Sequence, residues 1–242
     1  DEANNNLKDN FKKFLTFIKT SSDADFKEHI SDYIDLGSVM NSYLYGIFAR
    51  MQDFDGKSMM ICTWDNGITY YLTLYDYDST WGLEWHGRSV DFEHEKWEFR
   101  ADAQCWACPN NLLYSRLFKL FKPELVKQWH YLRNTVWSNW QLRNAFKSYI
   151  NAIPQQAYER ELDKWPTIPS KDITSLEQIQ KEIIKRGKNM DNFMEHLTDP
   201  AQPTQATQQT QATEAKSAND KPATPAPTTD NKPTGTTTTD GK

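Results

Sequence analysis

Four side chains in this sequence could do chemistry together: Asp53 and Ser58 in "QDFDGKSMM", and Asp76 and Asp78 in "LYDYDSTWG". The second pair closes an apolar, aromatic run, where charge is costly. In extended backbone, Asp76 and Asp78 point to one face and Tyr75 and Tyr77 to the other. Their Cα atoms then stand about 6.6 Å apart. Two carboxylates so placed repel each other, and a hard divalent cation removes the conflict. Mg²⁺ takes oxygen ligands and typically uses one or two carboxylates beside phosphate oxygens. The competing account of Asp-x-Asp-Ser-Thr is turn and helix-cap chemistry.

Asp53 lies after one apolar helical stretch and before a β-like pair. An Asp, a hydroxyl or amide five residues on, a hairpin, then an Asp at its far end is a layout suited to phosphoryl transfer. One Asp orients or deprotonates the attacking hydroxyl, and the other groups hold metal on nucleotide phosphates. Taken alone, "DFDGK" reads more simply as a polar turn with Gly56 at positive φ.

The elements that must position these groups follow from periodicity. "NLKDNFKKFLTFIKT" places Leu7, Phe11, Phe14, Leu15 and Ile18 at helical spacing. "DLGSVMNSYLYGIFARM" does the same with Leu36, Met40, Tyr43, Leu44, Ile47 and Met51, and Asp35 suits its N-cap. "MMICTW" and "ITYYLTLY" flank "DNG", and Asn66-Gly67 is a strong hairpin signal. Helices are expected at 111–121, 124–136, 138–151, 155–164 and 174–196. Pro123 and Pro154 suit first-turn sites, and Thr174 with Glu177 suits a capping box. The expected fold is α+β, predominantly helical, with one small β-hairpin.

The chain has 242 residues, nine Trp, eleven Tyr and twelve Phe, enough for a real core. A net charge of −5 argues against a nucleic-acid binder that works by neutralising phosphates. No run of 18 apolar residues exists, so no membrane span is expected. The composition breaks near Asp199: the remainder is Thr, Gln, Pro, Ala, Asn and Asp, without Leu, Ile, Val or aromatics. The expected organisation is a folded part at 1–198 and a disordered Thr/Pro/Gln-rich tail or linker at 199–242. The sequence opens on Asp1, which reads as a piece of a longer or processed chain.

The two acidic motifs, in this order and spacing, resemble the CotH kinase family of atypical protein kinases. The matching stretches are "DYIDLGSVMNSYLYG", "MQDFDGKSMM" and "LYDYDSTWG", followed by "NNLLYSRLFKLF", "QWHYLRNTVWS", "ERELDKWP" and "IQKEIIKRGKNMDNFM". The resemblance covers about residues 25–197. It implies the carboxy-terminal lobe of a kinase-like fold, without the strand-rich amino-terminal lobe. It further implies phosphate transfer from ATP to protein hydroxyls, with Mg or Mn. Asp53 then falls on the catalytic Asp, Asp76 on the metal-binding Asp and Asp78 on the second acidic position. Ser58 stands where the family usually has a metal-binding Asn, and Lys57 of the same loop is the nucleotide-binding candidate. The alternative is a non-catalytic surface or phage-tail protein using the same scaffold. Either setting implies a spore, cell-surface, virion or extracellular location over a plain cytoplasmic one, with a possible cell-surface or virion partner.

Other motifs carry less. Cys105 and Cys108 form a C-x-x-C, but no strand-like segment precedes them as a redox motif requires. A zinc site would need two more ligands, for which His86 and His94 are candidates by number alone. A structural or incidental pair is the simpler account. The many Trp residues could stack on sugars, but core packing explains most of them more directly.

Overall fold

Asp35 sets the frame of the molecule. In the computed structural model, which describes residues 2–51, 53–78, 80–84, 111–167 and 176–197, its Oδ1 accepts the Ser38 N–H at 2.6 Å. That caps α3 (Leu36–Ala49) as the sequence predicts. The preceding residue, Ile34, is fully buried and makes a parallel bridge with Tyr70. Ser38 Oγ then accepts the Leu72 N–H at 3.1 Å. The start of α3 is thus tied by side chain and backbone to one strand of the hairpin.

Before α3 come α1 (Glu2–Thr20), α2 (Asp23–His29) and a 3₁₀ turn, Ile30–Asp32. Phe14 and Ile18 of α1 are buried as their spacing predicts, but Leu15 is 46% exposed, because one more position around the helix leaves the core-facing stripe. Phe14 stacks on Tyr70 at 5.0 Å and Phe17 on Tyr33 at 4.6 Å, which seals α1 over the base of the hairpin. Arg116 locks the α1–α2 corner from the other side. Its guanidinium donates to the carbonyls of Ile18, Ser21 and Ser22 and lies 4.1 Å from the Phe26 ring.

The hairpin pairs β1 (Met59–Cys62) with β2 (Tyr71–Leu74), antiparallel, with Met59 opposite Leu74 and Cys62 opposite Tyr71. Asn66 and Gly67 do adopt positive φ (59° and 80°), as the hairpin signal requires. The connection is nevertheless longer than a two-residue turn. Asp65 organises it by accepting from the Thr63 hydroxyl and the Ile68 and Thr69 amides, an arrangement that competes with extending the strands.

Among the described residues five helices follow: α4 (Leu112–Leu120), α5 (Lys122–Asn134), α6 (Asn139–Ala152), α7 (Gln155–Lys164) and α8 (Glu177–His196). Pro123 sits in the first turn of α5, whereas Pro154 is the cap residue before α7. Thr174 lies outside the described residues. Glu177 opens α8 as its first residue and pairs with Lys181 at 2.7 Å, so it does not take the third-position role of a capping box. The fold is predominantly helical α+β with one two-stranded antiparallel sheet among the described residues.

The core is centred on α3, which packs against β2, α4, α5 and α8. Val39, Leu44, Phe48 and Ala49 are fully buried, and Trp129 of α5 meets Phe48 edge-on at 5.1 Å. Trp129 Nε1 donates to Asp191 of α8 at 2.9 Å, which satisfies the one polar atom of a fully buried indole. Gly187 lets Arg133 lie flat against α8: a Cβ there would fall inside the guanidinium. Cys105, Cys108, His86, His94, Trp85, Trp97, Trp106 and the tail after 197 all lie outside the described residues. Among the described residues, no helix is long and apolar enough to cross a membrane.

Candidate functional site

The acidic loop begins where α3 stops. Arg50 takes φ 59°, and the Met51 N–H bonds back to the Gly46 carbonyl at 2.9 Å, a left-handed helix stop made here without glycine. Phe54 then folds back onto α3. A Cβ on Gly46 would penetrate the Phe54 ring, so this glycine is what allows the loop to lie against the helix. Phe54 also contacts Tyr43 and Tyr114 at 6.3 and 5.5 Å.

Within the loop, Asp53 is the hub. Its carbonyl accepts the Gly56 and Ser58 amides at 3.2 and 3.1 Å, and its Oδ1 accepts the Ser58 hydroxyl at 3.0 Å. Lys57 Nζ stands 3.8 Å from Oδ2 with its own side chain largely exposed. Gly56 is not at positive φ, because the backbone closes through Asp53 and needs no left-handed residue there. Asn111 fastens the loop to α4. Its Nδ2 donates to the Asp55 carbonyl at 2.6 Å, and its Oδ1 caps α4 at the Tyr114 N–H, 3.0 Å away.

The hairpin register brings the second motif to this loop. Met59, the first residue of β1, pairs with Leu74, the last of β2, so Ser58 and Tyr75 leave the sheet side by side. The expected extended run of Asp76 to Asp78 does not persist. β2 ends at Leu74, and Asp76 turns to φ 57°, so the alternation of faces is broken there. Asp76 and Asp78 are both exposed, and neither has an ion pair or hydrogen bond among the described residues.

Between them, Tyr77 turns inward against Tyr45, with ring centroids 5.5 Å apart. Burial, then Tyr114, Tyr45 and the Asp53 carboxylate, push the Tyr77 phenol well above its ordinary value, while the facing Ser42 hydroxyl opposes them. Ser42 and Tyr114 share a buried hydrogen bond of 3.0 Å, and burial pushes the Tyr114 phenol up as well. The neutral Tyr77 phenol, grouped with the Ser42 and Tyr114 hydroxyls, therefore lies near the Asp53 carboxylate. Alternation turns Tyr77 away from Asp76 and Asp78, but nothing in the sequence pairs it with Ser42 and Tyr114, which come from other elements.

No three His, Cys, Asp or Glu side chains converge as a metal cage among the described residues. The donor chemistry nonetheless fits a hard divalent cation of the kind that completes its shell with phosphate and water. Asp76 and Asp78 offer exposed carboxylate oxygens at the end of the hairpin from which the Asp53–Ser58 loop also leaves.

The chain matches the family model described as CotH kinase protein over residues 1–190. It belongs to that family, a kinase-like class associated in general with ATP and a divalent metal. A search of curated proteins finds no match.

Proposed function

We propose that this chain supplies the carboxy-terminal catalytic lobe of an ATP-dependent protein kinase. The observation that carries the reading is the hairpin register. It delivers the Asp53–Ser58 loop and the Asp76–Asp78 turn to the same end of the sheet. Asp53 accepts or orients the proton of the attacking protein hydroxyl. The Ser58 hydroxyl fixes one carboxylate oxygen of Asp53, which leaves the other directed by Lys57. Asp76, Asp78 and Ser58 are the residues that would hold Mg²⁺ or Mn²⁺, and Lys57 would meet a nucleotide phosphate. Bound metal would neutralise charge on the transferring phosphoryl group.

The Tyr77 phenol, kept neutral near Asp53, adds no competing charge there. Between Glu2 and Asp32 the chain forms two helices and a 3₁₀ turn, so a strand-rich nucleotide-clamping lobe is not among the described residues. The test is phosphate transfer from ATP with Mg²⁺ or Mn²⁺ to a generic acceptor protein. Asp53→Ala and Asp76→Ala should each lower the rate by about 10²–10⁴-fold, the usual worth of a positioned acid–base or charge-stabilising group. Full activity in both variants would remove the site assignment. Cell- or glycan-binding that survives both substitutions, without phosphate transfer, would favour a non-catalytic surface role.

A further inference from the structure

The acidic turn is held from behind by a helix far away in sequence. After Asp78, the Thr80 hydroxyl donates to the Tyr77 carbonyl at 2.9 Å, and the chain then enters Trp81 and Gly82 at φ 53° and 86°. A bulky residue in the left-handed region is strained by about 1–3 kcal/mol and persists only where its surroundings over-determine it. The surroundings here are specific. The Trp81 N–H donates to the Ala49 carbonyl at 2.8 Å, and the Trp81 carbonyl accepts Gln178 Nε2 at 2.6 Å. The indole is packed edge-on against Phe48 and Phe146 at 5.1 and 5.9 Å. Gly82 cannot carry a side chain, since a Cβ would come within 2.9 Å of Glu182 Cγ.

Arg186, two turns along α8 from Gln178, completes the arrangement. It is buried at 6% exposure, and its guanidinium donates to the Phe48 carbonyl at 3.2 Å and to the Ile47 carbonyl. These carbonyls are the negative end of α3, where a cation is favoured. Burial still pulls the Arg186 pKa down to about 10, with Glu182 opposing. Ile47, Phe48 and Ala49 therefore have their carbonyls taken by Arg186 and Trp81. The end of α3, from which the Asp53 loop departs, and the turn that carries Asp76 and Asp78 share one anchor on α8.

We propose that Gln178 and Arg186 are positioning residues for phosphoryl transfer: they fix the acidic turn relative to the Asp53 loop by clamping Trp81 and the end of α3. The proposal rests on the kinase reading. Three variants of the full chain test it: Gln178→Ala; Gln178→Glu, which keeps the length and loses the donor; and Arg186→Lys, which keeps the charge and loses the fork. One readout is amide hydrogen exchange, and the other is Mn²⁺ binding followed by paramagnetic broadening of the Asp53, Asp76 and Asp78 amides.

Both Gln178 variants should retain the wild-type unfolding midpoint while the Trp81 and Leu83 amides exchange about tenfold faster relative to α3. Mn²⁺ affinity should fall about tenfold in all three variants, the scale seen when the outer support of metal ligands is lost. Unchanged exchange at Trp81 and Leu83, or acceleration by one factor throughout the molecule, overturns the clamp. A wild-type chain whose Asp76 and Asp78 amides ignore Mn²⁺ overturns the kinase reading instead, and the exchange contrast then decides the mechanical link by itself.

Discussion

The Ser58 hydroxyl donates to Oδ1 of Asp53 at 3.0 Å, across five residues of loop. The same two residues are joined through backbone, Ser58 N–H to the Asp53 carbonyl at 3.1 Å. Ser58 is 3% exposed and sits at the entrance to β1, so its position is set by the sheet and it sets the carboxylate in turn. Ser58→Ala removes that support without adding volume. Phosphate transfer should fall by about 10–100-fold, the range for groups that orient a functional side chain, while the fold is kept. Ser58→Asn installs an amide in place of the hydroxyl, but in a buried site the larger side chain should cost about 1–3 kcal/mol through overpacking. Kinetics with thermal unfolding of both variants separates the two effects. An alanine variant with wild-type turnover would show that the hydroxyl does not orient Asp53.

Gly46 makes a second link between helix and loop. Its missing side chain is filled by the Phe54 ring, which in turn holds the residue after Asp53 against Tyr43 and Tyr114. Gly46→Ala should therefore act twice. Helix propensity favours alanine by about 1 kcal/mol, but displacement of Phe54 should outweigh that and leave a net loss of about 1–3 kcal/mol. Activity should drop with it, because the loop can no longer lie flat. Pairing the substitution with Phe54→Leu should recover part of the stability, and denaturant unfolding of the single and double variants measures the coupling. Additive effects would mean that the two residues do not share the space.

Most of the fold was legible because it follows from local periodicity. The α3 cap at Asp35, the hairpin about Asn66-Gly67 and the sequence of helices after residue 111 all obey spacing rules, and their boundaries shift by only a few residues. The site was legible as a set of residues but not as a geometry. Alternation predicts one face for Asp76 and Asp78, and the left-handed turn at Asp76 cancels it. Gly56 looked like the obligatory turn residue, while Asp53 closes the loop through hydrogen bonds instead. Arg186 and Gln178 were invisible for another reason: their partners are backbone carbonyls of Ile47, Phe48 and Trp81, which no side-chain pattern encodes.

Arg116 offers a test of how the amino-terminal helices stay attached. Its guanidinium satisfies three carbonyls at the α1–α2 corner, contacts Asp23 at 3.3 Å and covers the Phe26 ring. Arg116→Ala strands those acceptors at once and should cost about 2–4 kcal/mol, since each buried unsatisfied group costs about 1–3 kcal/mol and water reaches some of them. Arg116→Lys should recover only a minority of the loss, because one ammonium cannot fork across carbonyls spread from α1 to the corner before α2. Lys119 also pairs with Asp23, at 2.6 Å, and holds its carboxyl below the usual range with help from Arg116. That contribution is present above the ordinary carboxylate pKa and is lost as pH falls through the depressed one. Acid unfolding of Asp23→Asn should therefore be less steep than that of the wild type, and superimposable curves would remove Asp23 from the account.

The buried phenols of Tyr45, Tyr77 and Tyr114 act at the opposite end of the pH range. Burial raises the pKa of Tyr45, Tyr77 and Tyr114 in the folded chain, whereas in the unfolded chain each titrates near 10. Below pH 10 both states keep the protons and stability is undiminished. Above it the unfolded chain releases protons that the folded chain retains, so the unfolded state is favoured as pH rises. Each phenol that stays protonated contributes a loss of about 1.4 kcal/mol per pH unit in this window. Tyr77→Phe deletes one such group while keeping the ring against Tyr45. Its stability, measured by denaturant unfolding between about pH 9 and pH 11, should decline less steeply than that of the wild type by about that amount. Parallel decline in the two proteins would mean that the Tyr77 hydroxyl ionises freely, and it would no longer be a neutral neighbour for Asp53.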